Sequence, residues 1–327
     1  MEEGLRDAIT GVWRTQIIYH AVRSGLIDEL EAEPRSAEDI AAALGLHAPT
    51  ALRVLLAMAA LELCVHLGGH DFQTSGAGKM LRRDAPQSLR GMALHWGGRA
   101  SRQLASVGDT LATGVPGFGN GDFAGLMADP IEGEAFCRAM AEQSAPVARA
   151  LASEIDLARF ASVMDVGGGY GGLLVGLLRA HPPLQGIVFD LADVSAGANR
   201  YFHDMGVSDR VRFQAGSFFD AIPPLAECIL LKFILHDWPD DDVRRILANC
   251  RRAFQQQGTL IVVEKLMPAI VSRQHEGVVR SDIAMLPISG KERTLKELES
   301  LAETSGFRLD SCVGLNDNCS ALVFSTF

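Results

Sequence analysis

The sequence predicts an α/β protein, in which a Rossmann-like, mostly parallel sheet with an antiparallel hairpin follows a mostly helical region. Three observations carry this. From Ala161 onward, β-rich runs alternate with amphipathic stretches, the pattern of a parallel sheet with crossover helices. The first such run, Ser162–Val166, leads straight into Gly167-Gly168-Gly169-Tyr170-Gly171-Gly172. Toward the other end, Phe307–Leu315 and Ser320–Phe327 are strand-like and close enough to pair, which inserts an antiparallel strand.

With 327 residues, 48% hydrophobic and 21% charged, the chain has ample material for a buried core. A net charge of −10 opposes a phosphate-backbone partner. No basic segment followed by an apolar run stands at the start, so no secretory signal is expected. The most apolar stretch, Ala51 to Val65, is broken by Arg53 and Glu62 and is too short to span a bilayer, so no membrane association is expected. The six cysteines form no CxxC pair and read as buried thiols of a cytoplasmic protein.

Three regions follow from the texture: a helical part over 1–95, a second helical part over 96–155, and the α/β part over 156–327. In the first, Ser36-Ala37-Glu38-Asp39 opens a short helix with Ser36 as N-cap. Gly45 ends it, and a second helix runs from Pro49 or Thr50 to about Cys64. That is helix-turn-helix spacing. Cys64–Leu67 and Asp71–Thr74, around Gly68-Gly69, supply a wing. A winged helix of this shape either reads DNA or serves as a packing or dimerisation module. Residues 51–62 offer one Arg and one Glu where a base reader needs several Arg, Lys, Asn or Gln. Residues 1–95 carry nine basic against twelve acidic side chains, so the packing module is expected and nucleic acid is not.

In the second region Gly114–Gly125 reads as a loop carrying Phe118 and Phe123. Trp96, Phe136 and Met140 lie on flanking helices. Together they suit an aromatic-substrate pocket, although each singly reads as an ordinary core residue.

The third region runs strand (Ser162–Val166), glycine loop, helix from about Leu173 to Ala180, and strand (Gln185–Asp190). Strands at Arg210–Gln214 and Cys228–Phe233 follow, then a helix (Asp241–Phe254), a strand (Thr259–Glu264), a helix (Leu295–Ser305) and the hairpin. Glycines belong after the first strand because the chain turns sharply there and a ligand must approach the backbone. Asp190, ending the second strand, is suited to accept from two ribose hydroxyls. Gly167-x-Gly169-x-x-Gly172 with Asp190 18 residues further on satisfies the dinucleotide fingerprint, so the nicotinamide cofactor of an oxidoreductase and S-adenosylmethionine both fit. Asp165, two residues before the first glycine, and the terminal hairpin favour S-adenosylmethionine.

The chain resembles the small-molecule O-methyltransferases of the plant caffeate type and their bacterial relatives in antibiotic and pigment biosynthesis. The likeness rests on Asp165-Val166-Gly167-Gly168-Gly169-Tyr170-Gly171, Phe189-Asp190-Leu191, Lys232-Phe233-Ile234-Leu235-His236-Asp237-Trp238, Val263-Glu264 and Gly290-Lys291-Glu292-Arg293-Thr294. It implies a methyltransferase sheet whose Gly167, Gly169 and neighbours contact the methionine part of S-adenosylmethionine. Ser144 would touch its methionine end, Asp190 beside Leu191 would hold the ribose, and Lys232 and Trp238 would flank the adenine. Gly216-Ser217-Phe218 departs from the family's Gly-Asp-Phe, so an acid expected on the adenine amino group is replaced by Ser217. The resemblance further implies a homodimer through the N-terminal region, to which the apolar row Ile9, Val12, Trp13, Ile17, Ile18 and Ala21 is suited.

Methyl transfer from a sulfonium to a phenol needs a base to take the hydroxyl proton. His236 follows the fourth strand, at the carboxyl edge where ligands bind in open α/β folds. The resemblance makes it the base, with Glu264 and Glu292 as partners that fix its tautomer. Glu264 ends the fifth strand and so emerges on the same edge. An alternative metal site from His236-Asp237 and Asp240-Asp241-Asp242 is less suited, because neighbours on a helix diverge; acids in a first helical turn need no metal. The resemblance also puts Asp237, Asp282 and Met285 beside a flat, apolar, multi-ring aromatic acceptor. The expected enzyme is a metal-independent O-methyltransferase. A ligand-responsive regulator, and a relative that retains the cofactor for other chemistry, stay open at this point.

Overall fold

The computed structural model describes residues 2–85, 88–119, 123–315 and 319–327. The chain divides into two compact units, Met1–Arg102 with Pro130–Glu142, and Gln103–Asp129 with Gln143–Phe327.

In the first unit, Ser36 caps the helix Ala37–Leu44: its hydroxyl accepts the Asp39 N–H at 3.0 Å, and Gly45 ends the helix at φ +64°. Helix Ala48–Ala60 follows, then a hairpin of β2 (Cys64–Gly68) and β3 (Asp71–Thr74); β1 (Arg35–Ser36) pairs with β3 on its other side. Ile27, Leu30, Ile40, Leu55, Met58 and Phe72 are completely buried between these elements. The apolar row near the start divides. Ala21 belongs to this core, whereas Ile9, Val12 and Trp13 are exposed, and the helix Glu2–Thr10 buries no residue.

The second unit is built on a seven-stranded sheet of order β6-β5-β4-β7-β8-β10-β9. Its strands are β4 (Ser162–Val166), β5 (Gln185–Asp190), β6 (Val211–Ala215), β7 (Cys228–Lys232), β8 (Thr259–Lys265), β9 (Phe307–Gly314) and β10 (Cys319–Thr326). The first five run parallel, and β10 lies antiparallel between β8 and β9. β7 is buried along its whole length and β8 along all but its ends, as near-continuous apolar runs in a two-faced parallel sheet must be. Because the strands are parallel, the carboxyl ends of β4, β5, β7 and β8 meet at one edge. Gly167, Asp190, Phe233 and Glu264 all stand there.

The expected strands are found within a residue or two of their boundaries. Two helices, Ser195–Asp204 and Glu276–Met285, were not foreseen. One expectation is corrected: the segment read as loop to Gly125 turns helical at Phe123, in Phe123–Ala128. The ring of Phe123 finds Trp238 with centroids 5.9 Å apart, and that apolar contact anchors the start of the helix. The middle of the same segment, 120–122, lies outside the described residues, as does the turn of the terminal hairpin, 316–318.

Phe307 opens the edge strand β9, is fully buried, and meets Phe254 edge-on at 6.3 Å. Phe307→Ala is expected to lower unfolding stability by about 3–5 kcal/mol, read from urea midpoints. A loss below about 1 kcal/mol would show that the hairpin contributes little to the sheet's stability.

Candidate active site

The glycine turn after β4 is built on left-handed backbone. Gly167, Gly169 and Gly171 have φ of +72°, +57° and +80°, a region open to glycine at no steric cost. Gly167 is further restricted, since a Cβ there would fall 2.5 Å from Ile234 Cδ1. At Gly169 a Cβ would meet nothing within 4 Å, so this peptide faces open space. Its N–H donates to Asp190 Oδ2 at 2.7 Å, while Asp190 Oδ1 accepts the Leu191 N–H at 2.7 Å. Each carboxylate oxygen thus retains a lone pair for a further donor. Open backbone beside a doubly anchored carboxylate fits a nucleoside whose ribose hydroxyls donate to Asp190.

Asp165 lies beneath the turn and is buried; burial raises its pKa to about 7, against the pull of Lys232. Burial lowers Lys232 to about 8, with Asp165 opposing. Asp165 therefore acts from below: a Cβ on Gly168 would come within 2.8 Å of its carboxylate. Ser217 accepts the Phe219 N–H at 3.2 Å, and so orders its own turn. Phe218 and Phe219 meet Trp238 edge-on at 5.9 and 4.6 Å. Trp238 Nε1 is buried with no hydrogen-bond partner among the described residues. Ser144 is buried on the helix Pro130–Glu154.

The second centre lies past β7. A one-turn 3-10 helix, Leu235–Asp237, presents His236. Its Nδ1 is 3.0 Å from Glu292 Oε1 and 3.2 Å from Glu264 Oε2, and its Nε2 is 3.5 Å from Asp237 Oδ1. All four side chains are buried. Burial disfavours the imidazolium, but Glu264, Glu292 and Asp237 outweigh it and raise the His236 pKa to about 10. Glu264 is lifted by burial to about 7, and Glu292 is held low, against burial, by the imidazolium and its hydrogen bond. Burial takes Asp237 to about 6. The carboxylates on Nδ1 favour the imidazolium form of His236, and its Nε2 lies beside Asp237.

The three sequence-predicted catalytic residues therefore converge. Asp282 Oδ1 accepts the Glu292 N–H at 2.8 Å, which ties it to the stretch that carries the carboxylate partner. Met285 ends the helix Glu276–Met285 and is half-buried. Trp96, Phe136 and Met140 all belong to the first unit, where Trp96 and Phe136 lie edge-on to His95 at 6.1 and 5.4 Å. His95 escaped the sequence reading; burial lowers its pKa to about 4, so it is neutral. The Asp240–Asp242 cluster does not converge on His236, since Asp240 pairs with Arg293 and Asp241 with Arg244.

Phe233 also went unnoticed. It has φ +55°, one of three non-glycine residues on the left-handed side among those described. For a bulky side chain this is strained backbone, of a kind that gathers at functional sites. Its ring stacks on His236 at 5.5 Å and 13°, with Lys232 Nζ 4.2 Å from its centroid. A second such residue, Ser289 at +71°, precedes the Gly290–Glu292 segment. Nothing in the amino-acid pattern marks either position.

A parallel sheet with an open glycine turn, a ribose-suited carboxylate and a carboxylate-held histidine on one edge fits an enzyme that uses a nucleoside-bearing cofactor. Residues 110–308 match the O-methyltransferase domain family. The chain is 33% identical over 311 residues to the phenazine O-methyltransferase PhzM of Lysobacter antibioticus, covering 94% of this chain and 91% of that one. The crystal structure of LaPhzM superposes with a TM-score of 0.93 at 31% identity, over 100% and 99% of the two chains. An O-methyltransferase of neocarzinostatin biosynthesis, solved with S-adenosylmethionine and 2-hydroxy-5-methyl naphthoic acid, gives 0.77 at 30% identity over 96% of each. The chain belongs to this family of S-adenosylmethionine-dependent O-methyltransferases. Membership resolves the choice the glycines alone left between two cofactors.

Glu264→Gln removes one of the carboxylates that favour the imidazolium. The His236 pKa is expected to fall from about 10, followed by NMR titration of its ring protons. An unmoved titration would mean that Glu264 does not hold the charge on His236.

Proposed function

We propose that the enzyme methylates a hydroxyl of an aromatic, multi-ring natural-product intermediate, with His236 as general base and without a metal. The observation that carries this is the pair of buried carboxylates on His236 Nδ1, at 3.0 and 3.2 Å, which directs Nε2 to the acceptor. S-adenosylmethionine, when bound, supplies an electrophilic methyl group on a sulfonium. The turn Gly167–Gly169 and Ser144 would hold its methionine part, Asp190 and Leu191 its ribose, and Lys232, Trp238, Ser217 and Phe218 the adenine side. Asp165 supports the turn from beneath.

A phenol has a pKa near about 10, close to that of His236 in its carboxylate nest. For His236 to act as the base its own Nε2 proton must first pass to solvent; the phenol proton then moves to Nε2 as the oxygen attacks, and the phenolate–imidazolium pair carries the same proton count as phenol beside neutral histidine. Glu264 and Glu292 stabilise the charge on His236 after the proton arrives. The phenazine and naphthoate named for relatives support a flat acceptor, beside which Met285 and Asp237 would lie. The atoms of His236, Glu264 and Glu292 that can bind a cation all lie within 4.8 Å of one another. The metal-free reading treats that proximity as the ion pair itself. Exposed Leu5, Ile9, Val12 and Trp13 in the first unit support a homodimer, since such a row on a monomer faces water at a cost.

With a hydroxylated polycyclic acceptor and labelled donor, His236→Gln is expected to lower kcat by at least about a hundredfold. Calorimetric affinity for S-adenosylmethionine should stay within a few-fold. Undiminished turnover would refute the base. Turnover is also expected to survive exhaustive chelation, and recovery only on adding a divalent cation would refute the metal-free reading.

A further inference from the structure

The His236 turn is also held by a buried arginine. Arg293 is 2% exposed. Its Nη1 donates to the Leu235 carbonyl at 2.6 Å and its Nη2 to the Trp238 carbonyl at 2.6 Å, the two peptides that bracket His236 and Asp237. Nε and Nη2 also donate to Asp240 Oδ1, at 3.0 and 2.8 Å. The same segment binds the turn through its backbone: the Lys291 N–H donates to the His236 carbonyl at 2.8 Å. Gly290 permits the approach, since a Cβ there would fall 2.2 Å from that carbonyl oxygen.

We propose that Arg293, neutralised by Asp240, is a positioning residue that fixes the His236 turn relative to Glu292 and Glu264. The inference rests on His236 being the base. Burying a guanidinium is costly, and a well-packed apolar side chain would serve stability as well. A planar fork of donors does something an apolar chain does not. It ties two carbonyls three residues apart to one rigid plane, and so sets where the intervening imidazole stands. Because Arg293 directly follows Glu292, the fork and the carboxylate that accepts from His236 Nδ1 are carried on one short stretch of backbone. Turn and partner are thereby registered to each other. Lysine keeps the charge but, as a single ammonium, cannot span both carbonyls and Asp240.

The test compares wild type, Arg293→Lys, Asp240→Asn and His236→Gln as full-length protein. It measures kcat and KM for a hydroxylated polycyclic acceptor, calorimetric affinity for S-adenosylmethionine, and the His236 pKa by NMR. In Arg293→Lys, kcat should fall about tenfold or more, with donor affinity within about threefold of wild type. The His236 pKa should drop measurably as the imidazole moves away from Glu292, a shift that mere loss of stability would not produce at a temperature where the variant is folded. Asp240→Asn, at a partly exposed position, should show the same changes in smaller measure, and it decides the matter if Arg293→Lys fails to fold. A folded Arg293→Lys, or in its absence Asp240→Asn, with wild-type kcat and His236 pKa would overturn the proposal while a collapsed His236→Gln leaves the base intact. An active His236→Gln would overturn both.

Discussion

One buried carboxylate joins the sheet to the chemistry. Glu264 is the penultimate residue of β8, and its Oε1 accepts the N–H groups of Ile234 and Leu235 at 3.2 and 2.9 Å, while its Oε2 faces His236 Nδ1 at 3.2 Å. A single side chain thus caps the start of the catalytic turn and holds the charge at its centre. Isolated, such a charge would be expelled from the interior by its desolvation cost. Here two backbone donors and an imidazolium offset that cost, so turn, histidine and glutamate are stable only together.

The two halves of the site communicate along β7. Lys232, its last residue, faces Asp165 beneath the glycine turn, and its ammonium lies over the ring of Phe233. Phe233 in turn stacks on His236. An acid, an ammonium, an aromatic ring and an imidazole therefore follow one another from the glycine turn to the His236 turn. The strained backbone at Phe233 turns the chain from the strand into the 3-10 helix, and the Phe233 N–H remains on the Val263 carbonyl at 3.0 Å. Pre-organised dipoles and charges of this sort need no rearrangement during reaction.

Much of this was legible in the sequence, for identifiable reasons. Parallel strands buried on both faces read as apolar runs, and the order of elements forces their carboxyl ends to one edge, which brought Gly167, Asp190, His236 and Glu264 together without coordinates. The helix caps at Ser36 and Gly45 were written in single residues. Other features depend on tertiary contacts with no local signature. The left-handed Phe233 is held by a sheet hydrogen bond and by ring stacking, against its intrinsic preference. The hydrogen bond from the Glu292 N–H to Asp282 spans ten residues and has no sequence signature, and Phe123 read as loop because its anchor, Trp238, is remote in sequence.

The place of β10 has a consequence for how the edge of the parallel sheet is covered. β9 precedes it in the chain but lies outside it, so Phe307–Gly314 has no strand to pair with until Cys319–Thr326 is present. β8 meanwhile presents an unpaired edge, the kind of surface on which chains aggregate. The hairpin therefore extends the five parallel strands as a unit and covers that edge. Glu264 lies on the edge that β10 covers, paired with Ser320, so the terminal hairpin walls the strand that carries the acid held against His236.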